Sequence, residues 1–305
     1  YFNGDTLAAR VWVDKYALKN SNGDIFEKSP ADMHRRIANE LARIEKKYPN
    51  PISADEIFEY LDKFRYLVPA GSPMSGIGND LQVSSISNCF VAGNEEDSYG
   101  GILKTDEQLV QLMKRRGGVG TDLSHIRPEN APVHNAALTS SGVVSFMDRF
   151  SNSTREVAQS GRRGALMLSI SITHPDSEKF IDAKLEEGKV TGANISVKIT
   201  DDFMKCVREN KDFIHVFPIN HQLTEKQKEI INEEELGKIV NFGDGVFAKR
   251  NNAKELWDKI IHNAWKSAEP GILYWDTIIR ESLPDCYSDL GFKTTSTNPC
   301  QPSWA

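Results

Sequence analysis

LMLSISITHPDSEKFIDAKLEEGKVTGANISVKITDDFMKCVREN, residues Leu166 to Asn210, switches between two periodicities. Leu166 to Ile172 and Asn194 to Ile199 are short apolar runs bounded by turn residues and read as strands. Ser177 to Glu187 and Asp201 to Glu209 carry the wider spacing of helices. Strand, helix, strand in succession implies parallel pairing, because only a long crossover returns the chain to the same edge in the same direction.

The alternation extends in both directions. Ser87 to Val91, Phe213 to Ile219 and Gly271 to Trp275 read as further strands. Between them lie helical patterns at Asp106 to Arg116, Val143 to Gln159 and Lys254 to Ser267, the first opened by a Thr105/Gln108 capping box and closed by Gly117. Five such strands make half of a large barrel or a doubly wound sheet. His221 to Asn252 is rich in charge and poor in pattern, and reads as a surface excursion. Upstream the chain is helical. Ser29 caps a helix with Pro30 first and an apolar stripe of Met33, Ile37, Leu41 and Ile44; a second helix runs from Ala54 to about Leu67, capped by Ser53 with Glu56 reaching back. Ser72 to Asp80, SPMSGIGND, has the composition of an exposed loop.

Composition narrows the function classes. The 305 residues, 39% hydrophobic and 26% charged, suit an ordinary soluble protein with a substantial core. No apolar run approaches the roughly 20 residues of a membrane helix, and Tyr1 to Lys19 lacks a signal peptide's hydrophobic stretch, so a cytoplasmic enzyme or binding protein is expected. A net charge of -6 offers no broad basic field for nucleic acid. The four cysteines, Cys89, Cys206, Cys286 and Cys300, show no zinc spacing.

Two basic, glycine-rich elements suggest a phosphate-bearing ligand. Arg115 to Pro128, RRGGVGTDLSHIRP, sets two arginines before three glycines whose amides could cradle an anion, though a helix end followed by a tight turn explains the same letters. Ser160 to Ile172, SGRRGALMLSISI, places Arg162 and Arg163 between glycines, either as a mobile phosphate-reaching loop or as a solvated turn. Neither is a Walker or dinucleotide-binding fingerprint. Cys89 lies in a strand-like segment where a buried inert thiol is natural. Cys300, between two prolines in a polar loop, is poorly placed for a core cysteine and suggests chemistry.

The strings YFNGDTLAARVWVDKYAL, GSPMSGIGN, SNCFVAG, RRGGVGTDLSHIRP, SNSTREVAQSGRRGALMLSI, HPDSEKFIDAK, TGANISVKITDDFM, HNAWKSAEPGILYWDTI and TSTNPC occur in the order in which the large subunit of ribonucleotide reductases carries their counterparts. The chain resembles that family over nearly its whole length, most of all bacterial and phage forms near the adenosylcobalamin-dependent type. The resemblance implies reduction of ribonucleotides to 2'-deoxyribonucleotides by a thiyl radical. The radical source is adenosylcobalamin, or alternatively a separate metal-containing subunit. It further implies that Cys300 is the radical cysteine, with Asn298 bonding the substrate and Cys89 as one of two cysteines that reduce it, the partner lying beyond this chain. Asn88 and Gly118 match substrate-contacting positions, Arg163 the arginine of the specificity loop, and Asp97 and Arg127 the deoxynucleoside triphosphate effector site. No protein-bound metal is implied.

The family continues Gly-Glu after Asn-Pro-Cys, the glutamate acting as general base, whereas here Gln301, Pro302, Ser303, Trp304 and Ala305 follow. With a start at Tyr1 rather than Met, this leads to the expectation of a fragment: a helical region over 1–80 and, over 81–305, the first half of a ten-stranded α/β barrel. Such a half would work with a complementary C-terminal half, a ribonucleotide, a thioredoxin-like reductant and a second copy or radical-generating subunit. The rival expectation is a catalytically inactive nucleotide-binding or assembly half.

Overall fold

The computed structural model describes residues 1–93, 96–157 and 164–299. The chain forms two compact units, one of Tyr1–Phe90, Gln111–Gly118 and Val157–Gly164, the other of Val91–Val110, Val119–Glu156 and Ala165–Ala305.

The first unit is built on helices α1 (Thr6–Lys15), α2 (Pro30–Glu45), α3 (Ala54–Leu61) and α4 (Gly71–Gly76). Ser29 and Asp32 satisfy each other's amides ahead of α2, with Pro30 in the first turn as expected. Met33, Ile37 and Ala38 then pack against Trp12, Ala17, Ile57 and Leu61. Leu41 stays exposed, so the buried stripe stops a turn before the sequence pattern does. Helix α3 ends at Leu61 rather than near Leu67. Lys63 and Phe64 take positive φ, and the amides of Tyr66 and Leu67 turn back onto the Tyr60 carbonyl at 3.1 and 3.0 Å.

Ser72 to Asp80 is not the exposed loop expected from its composition. Ser72 and Ser75 are buried inside α4. A six-residue helix of Gly, Ser, Pro and Met has little intrinsic stability. Distant side chains hold it: Asn88 Oδ1 accepts from the Ser72 amide at 2.7 Å, and the buried Arg36, paired with Glu27 at 2.7 Å, donates to the Met74 carbonyl at 2.9 Å.

From Cys89 onward strand and helix alternate: β1 (Cys89–Val91), α5 (Tyr99–Met113), β2 (Gly118–Asp122), α6 (Gly142–Glu156), β3 (Leu166–Ser171), α7 (Ser177–Asp182), β4 (Asn194–Ile199), α8 (Asp201–Glu209), β5 (Asp212–Phe217), α9 (Glu225–Glu233), β6 (Ile239–Gly243), β7 (Val246–Asn252), α10 (Ala253–Ser267), β8 (Gly271–Tyr274) and α11 (Trp275–Glu281). The strands β1, β2, β3, β4 and β8 form one sheet in that order. Its β2–β3, β3–β4 and β4–β8 pairings are parallel, with Val119 opposite Leu166, Met167 opposite Asn194 and Ser196 opposite Gly271. The α/β class and the five-stranded sheet are those expected, but two strands have changed places. Gly118–Asp122, read from sequence as a glycine-rich turn, is the second strand. Phe213 to Ile219 leaves the parallel sheet; β5 pairs antiparallel with β7 in a separate β5-β7-β6 sheet. The expected surface excursion thus contains structure, and Phe247 packs with Phe217 and Ala131. Its hairpin turns through Gly243, Asp244 and Gly245, all at positive φ, a signal masked in sequence by the surrounding charge.

Helix α5 starts six residues ahead of the expected Thr105 cap. Thr105 sits inside it, donating its hydroxyl to the Gly101 carbonyl at 3.0 Å. At its end Arg116, not Gly117, takes the left-handed conformation. The expected end of α6 at Gln159 lies outside the described residues, and α7 stops at Asp182 rather than Glu187. Among the described residues no helix is long and apolar enough to cross a membrane.

Candidate active site

In the first unit, the segment around Cys89 is tied down from both ends. The Gly118 amide donates to the Asn88 carbonyl at 2.7 Å, while the Asn88 side chain caps α4, so Asn88 and Gly118 are brought together. Cys89 follows, half-buried. Gly117 admits the Phe90 ring, which a Cβ would meet at 2.7 Å. The arginines next to these glycines bond backbone, Arg115 to the Gln111 carbonyl at 2.7 Å and Arg116 to the Lys15 carbonyl at 2.8 Å. The segment expected as an anion cradle, or as a helix end and tight turn, is a helix end that runs directly into the strand β2.

In the second unit the loop of residues 293–298 lies against the parallel sheet. A Cβ on Gly120 would overlap the Thr297 carbonyl oxygen and stand 2.9 Å from the Asn298 Cα. The glycine's missing side chain thus admits this protein's own backbone rather than a ligand. Ser296 and Thr297 are buried; Ser296 meets the Ser169 hydroxyl at 3.0 Å. Asp122 Oδ1 gathers the Ser169 hydroxyl at 3.1 Å, the Ser124 hydroxyl at 3.0 Å and the Lys198 ammonium at 2.8 Å. Lys198 also reaches the Thr295 carbonyl at 3.3 Å and stands 4.3 Å from the centre of the Trp275 ring. A cavity of about 800 Å³ opens here, lined in part by Thr121, Asp122, His125, Lys198, Trp275 and Thr295. Asp122, Lys198 and Trp275 lie at the carboxyl ends of β2, β4 and β8, where open parallel sheets commonly receive ligands.

Behind the sheet, two histidines are neutral by construction. His174 donates Nε2–H to the Ile126 carbonyl at 2.8 Å and accepts the Asp176 amide on Nδ1; burial lowers it to about 4. His215 donates from Nδ1 to the Ile172 carbonyl at 2.7 Å, and burial again lowers it to about 4. Burial has the opposite effect on Asp176, raising it to about 6, although the Val143 amide at 3.2 Å favours its charged form. These groups brace loops and helix ends.

Asp97 and Arg127, expected together, are together. Arg127 Nε meets Asp97 Oδ2 at 2.7 Å, its amide donates to Asp97 Oδ1 at 3.1 Å, and a further guanidinium nitrogen donates to the Pro132 carbonyl at 2.9 Å. Both side chains are about seven-tenths buried, and Asp97 also lines the cavity. Cys300 and Arg163 lie outside the described residues. Sequence reasoning missed Gly120, Asp122 and Lys198. A lysine between Val197 and Ile199 in the strand run NISVKI was the available signal, since a strand of a parallel sheet is buried on both faces and a charge within it needs a partner.

Residues 87–302 match the ribonucleotide reductase barrel domain and residues 2–82 the ribonucleotide reductase all-alpha domain. The chain is 33% identical to a vitamin B12-dependent ribonucleoside-diphosphate reductase of Thermoplasma acidophilum, with 96% of this chain and 42% of that protein covered. It is 29% identical to an enzyme of the same description from Mycobacterium tuberculosis, covering 96% and 38%. Against the ribonucleoside-diphosphate reductase subunit alpha of Helicobacter pylori it is 27% identical, covering 92% and 35%. The chain therefore spans about two fifths of the length of these relatives.

Proposed function

We propose a function from one premise: this chain belongs to the ribonucleotide reductase large-subunit family. It contributes the catalytic loop and one reducing cysteine to an enzyme that converts ribonucleoside diphosphates to 2'-deoxyribonucleoside diphosphates. The observation that carries the reading is the seating of residues 295–298 on the sheet at Gly120, which fixes the backbone that presents Asn298. In this reading the Cys300 thiyl takes the hydrogen from C3', Asn298 holds the substrate by hydrogen bonds, and the 2'-hydroxyl leaves as water. Cys89 and a second thiol supply two electrons and two protons and become a disulfide, and the C3' hydrogen returns from Cys300. Asn88 and Gly118 position the substrate, and Arg163 links its base to the effector.

Closed-shell thiols provide electron pairs but no unpaired electron, so a separate one-electron source fits this set of groups. When bound, adenosylcobalamin supplies an organic radical; a metal-containing small subunit is the alternative. A thioredoxin-like dithiol regenerates Cys89 in the cytoplasm, where thiols are kept reduced. The domains are a helical region over 1–80 and the first half of the barrel over 81–305, completed by a C-terminal half and working as a homodimer or with the radical subunit.

The test is turnover of a ribonucleoside diphosphate by the full-length protein with adenosylcobalamin and a dithiol. Cys300→Ser abolishes product while nucleotide binding persists, because a hydroxyl O–H bond is too strong to yield its hydrogen. A Cys300→Ser protein that still forms deoxynucleotide would refute the reading. At the effector site, Arg127→Ala weakens deoxynucleoside triphosphate binding about tenfold by calorimetry, the loss of one charge-assisted phosphate contact. Unchanged affinity would remove Arg127 from that site.

A further inference from the structure

A lysine ammonium inside a parallel sheet is costly unless its donors are matched. Lys198 is 4% exposed near the carboxyl end of β4, between the buried Val197 and Ile199. Its partners come from three elements: Asp122 at the end of β2, the Thr295 carbonyl in the loop, and the Trp275 ring at the start of α11. A second route runs from the same carboxylate to the same loop. Ser169 gives its hydroxyl hydrogen to Asp122, which leaves its oxygen to accept from Ser296. Thr297 then presses against Gly120. The three residues before Asn298 are thus tethered one after another, and Lys198 joins the Asp122 carboxylate to the Thr295 carbonyl. Charge-assisted hydrogen bonds are about twice as strong as neutral ones, and the Asp285 carboxylate holds the other end of the loop by accepting from the Thr294 amide at 3.1 Å and from its hydroxyl.

We propose that Lys198 is a positioning residue, holding the loop of residues 293–298 against β2 and β4 so that Asn298 is presented in one orientation. The proposal deepens the reductase reading and rests on it for the word presented; the tether itself does not depend on that reading. The residue acts through the loop and touches no reacting atom in this scheme.

Hydrogen–deuterium exchange of the full-length protein tests it, comparing Lys198→Met with the unchanged chain. Exchange across residues 293–298 should rise about tenfold, the factor carried by loss of one charge-assisted hydrogen bond, while β3 keeps its protection. An unchanged loop in a folded Lys198→Met protein would overturn the proposal. If Lys198→Met also loses protection across β3, Lys198→Gln, which keeps a polar donor, is judged by the same two segments. Selective loosening of the loop supports the proposal; uniform loosening, or none, overturns it. In turnover assays the variant should lose kcat at least tenfold with KM within about twofold, since orientation and not affinity is disturbed. A loosened loop with undiminished kcat would strip Lys198 of the positioning role. Absence of any ribonucleotide reduction by the unchanged protein would refute the reductase reading alone, because the exchange result still decides the tether.

Discussion

Lys198 on β4 and Lys249 on β7 are both buried ammonium groups held by one carboxylate, Asp122 at 2.8 Å and Glu178 at 2.9 Å. Their surroundings differ. Glu178 on α7 also accepts from Lys259 at 2.7 Å and Asn251 at 2.9 Å, and Lys259 and Asn263 of α10 continue to Asp182 at 3.1 and 2.9 Å. Each member of that cluster sits in, or at the end of, a helix or strand, so it welds α7, β7 and α10 together. Burial pushes the Glu178 carboxyl up, yet Lys259, Lys249 and Asn251 together bring it down to about 2. Around Lys198 one partner is a loop carbonyl, so the same device there restrains a segment that regular hydrogen bonding does not. A buried ion pair between regular elements serves stability; one that faces a loop serves the geometry of whatever the loop carries.

That contrast makes damage on the Lys198 side a matter of activity and damage on the Lys249 side a matter of stability. The largest effect is expected for Gly120→Ala. Its methyl would overlap the Thr297 carbonyl, and a displacement of about 1 Å at reacting groups can cost about 100-fold in rate. Turnover should fall by about that factor, with unfolding free energy changed by only ~1 to ~3 kcal/mol, the usual range for overpacking. Normal turnover in this variant would break the comparison. Lys249→Met should do the reverse. Removing one partner of a buried pair costs ~3 kcal/mol or more, less here because Lys259 and Asn251 still face Glu178. Denaturant titration would read that loss, and kcat of the folded protein should stay within about twofold; a kcat loss matching that of Gly120→Ala would erase the distinction.

The smallest effect, acid sensitivity, sharpens the same contrast. Folded His174 and His215 lie at about 4 against an ordinary 6.5, so the unfolded chain takes up their protons first and stability falls as pH drops from about 6.5 through 4. Asp176, raised from 3.8 to about 6, works against them over much of that range, because its contribution is present at low pH and lost as pH rises through 6. Two groups against one leave a net loss of ~1.4 kcal/mol per pH unit. Glu178, lowered from 4.5 to about 2, adds a second loss as pH falls below 4.5. Lys249→Met should shrink this lower limb. Denaturation curves at pH 7, 5 and 4 check the upper limb, and a flat response between them would contradict the assignment of both histidines.

Much of the fold was legible in local pattern. Ser29 and Pro30 ahead of α2, Ser53 with Glu56 at the start of α3 and the apolar runs of β3 and β4 all formed as their letters indicate. The strand β2 was not legible, because GVGTD has neither alternation nor a β-branched run; its backbone is held by neighbours, as where the Val119 amide meets the Ala165 carbonyl at 2.8 Å. The capping box expected at Thr105 failed because helix α5 had already begun, so that hydroxyl turned inward. For the candidate site, Asp97 and Arg127 were expected in one effector site only through family resemblance, and their ion pair was not foreseen, since 30 residues separate them and neither stands in a distinctive local pattern.

By itself the sequence determined the α/β class, the starts of helices such as α2 and α3, and the family, because periodicity, caps and motifs are set among residues a few positions apart. Only the tertiary structure decided that Gly120 receives the Thr297 backbone, that Ser169 meets Ser296 across 127 residues and that Lys198 reaches Thr295 across 97. A buried charge and a missing side chain acquire meaning from what lies against them, and folding alone brings such distant partners within hydrogen-bonding distance.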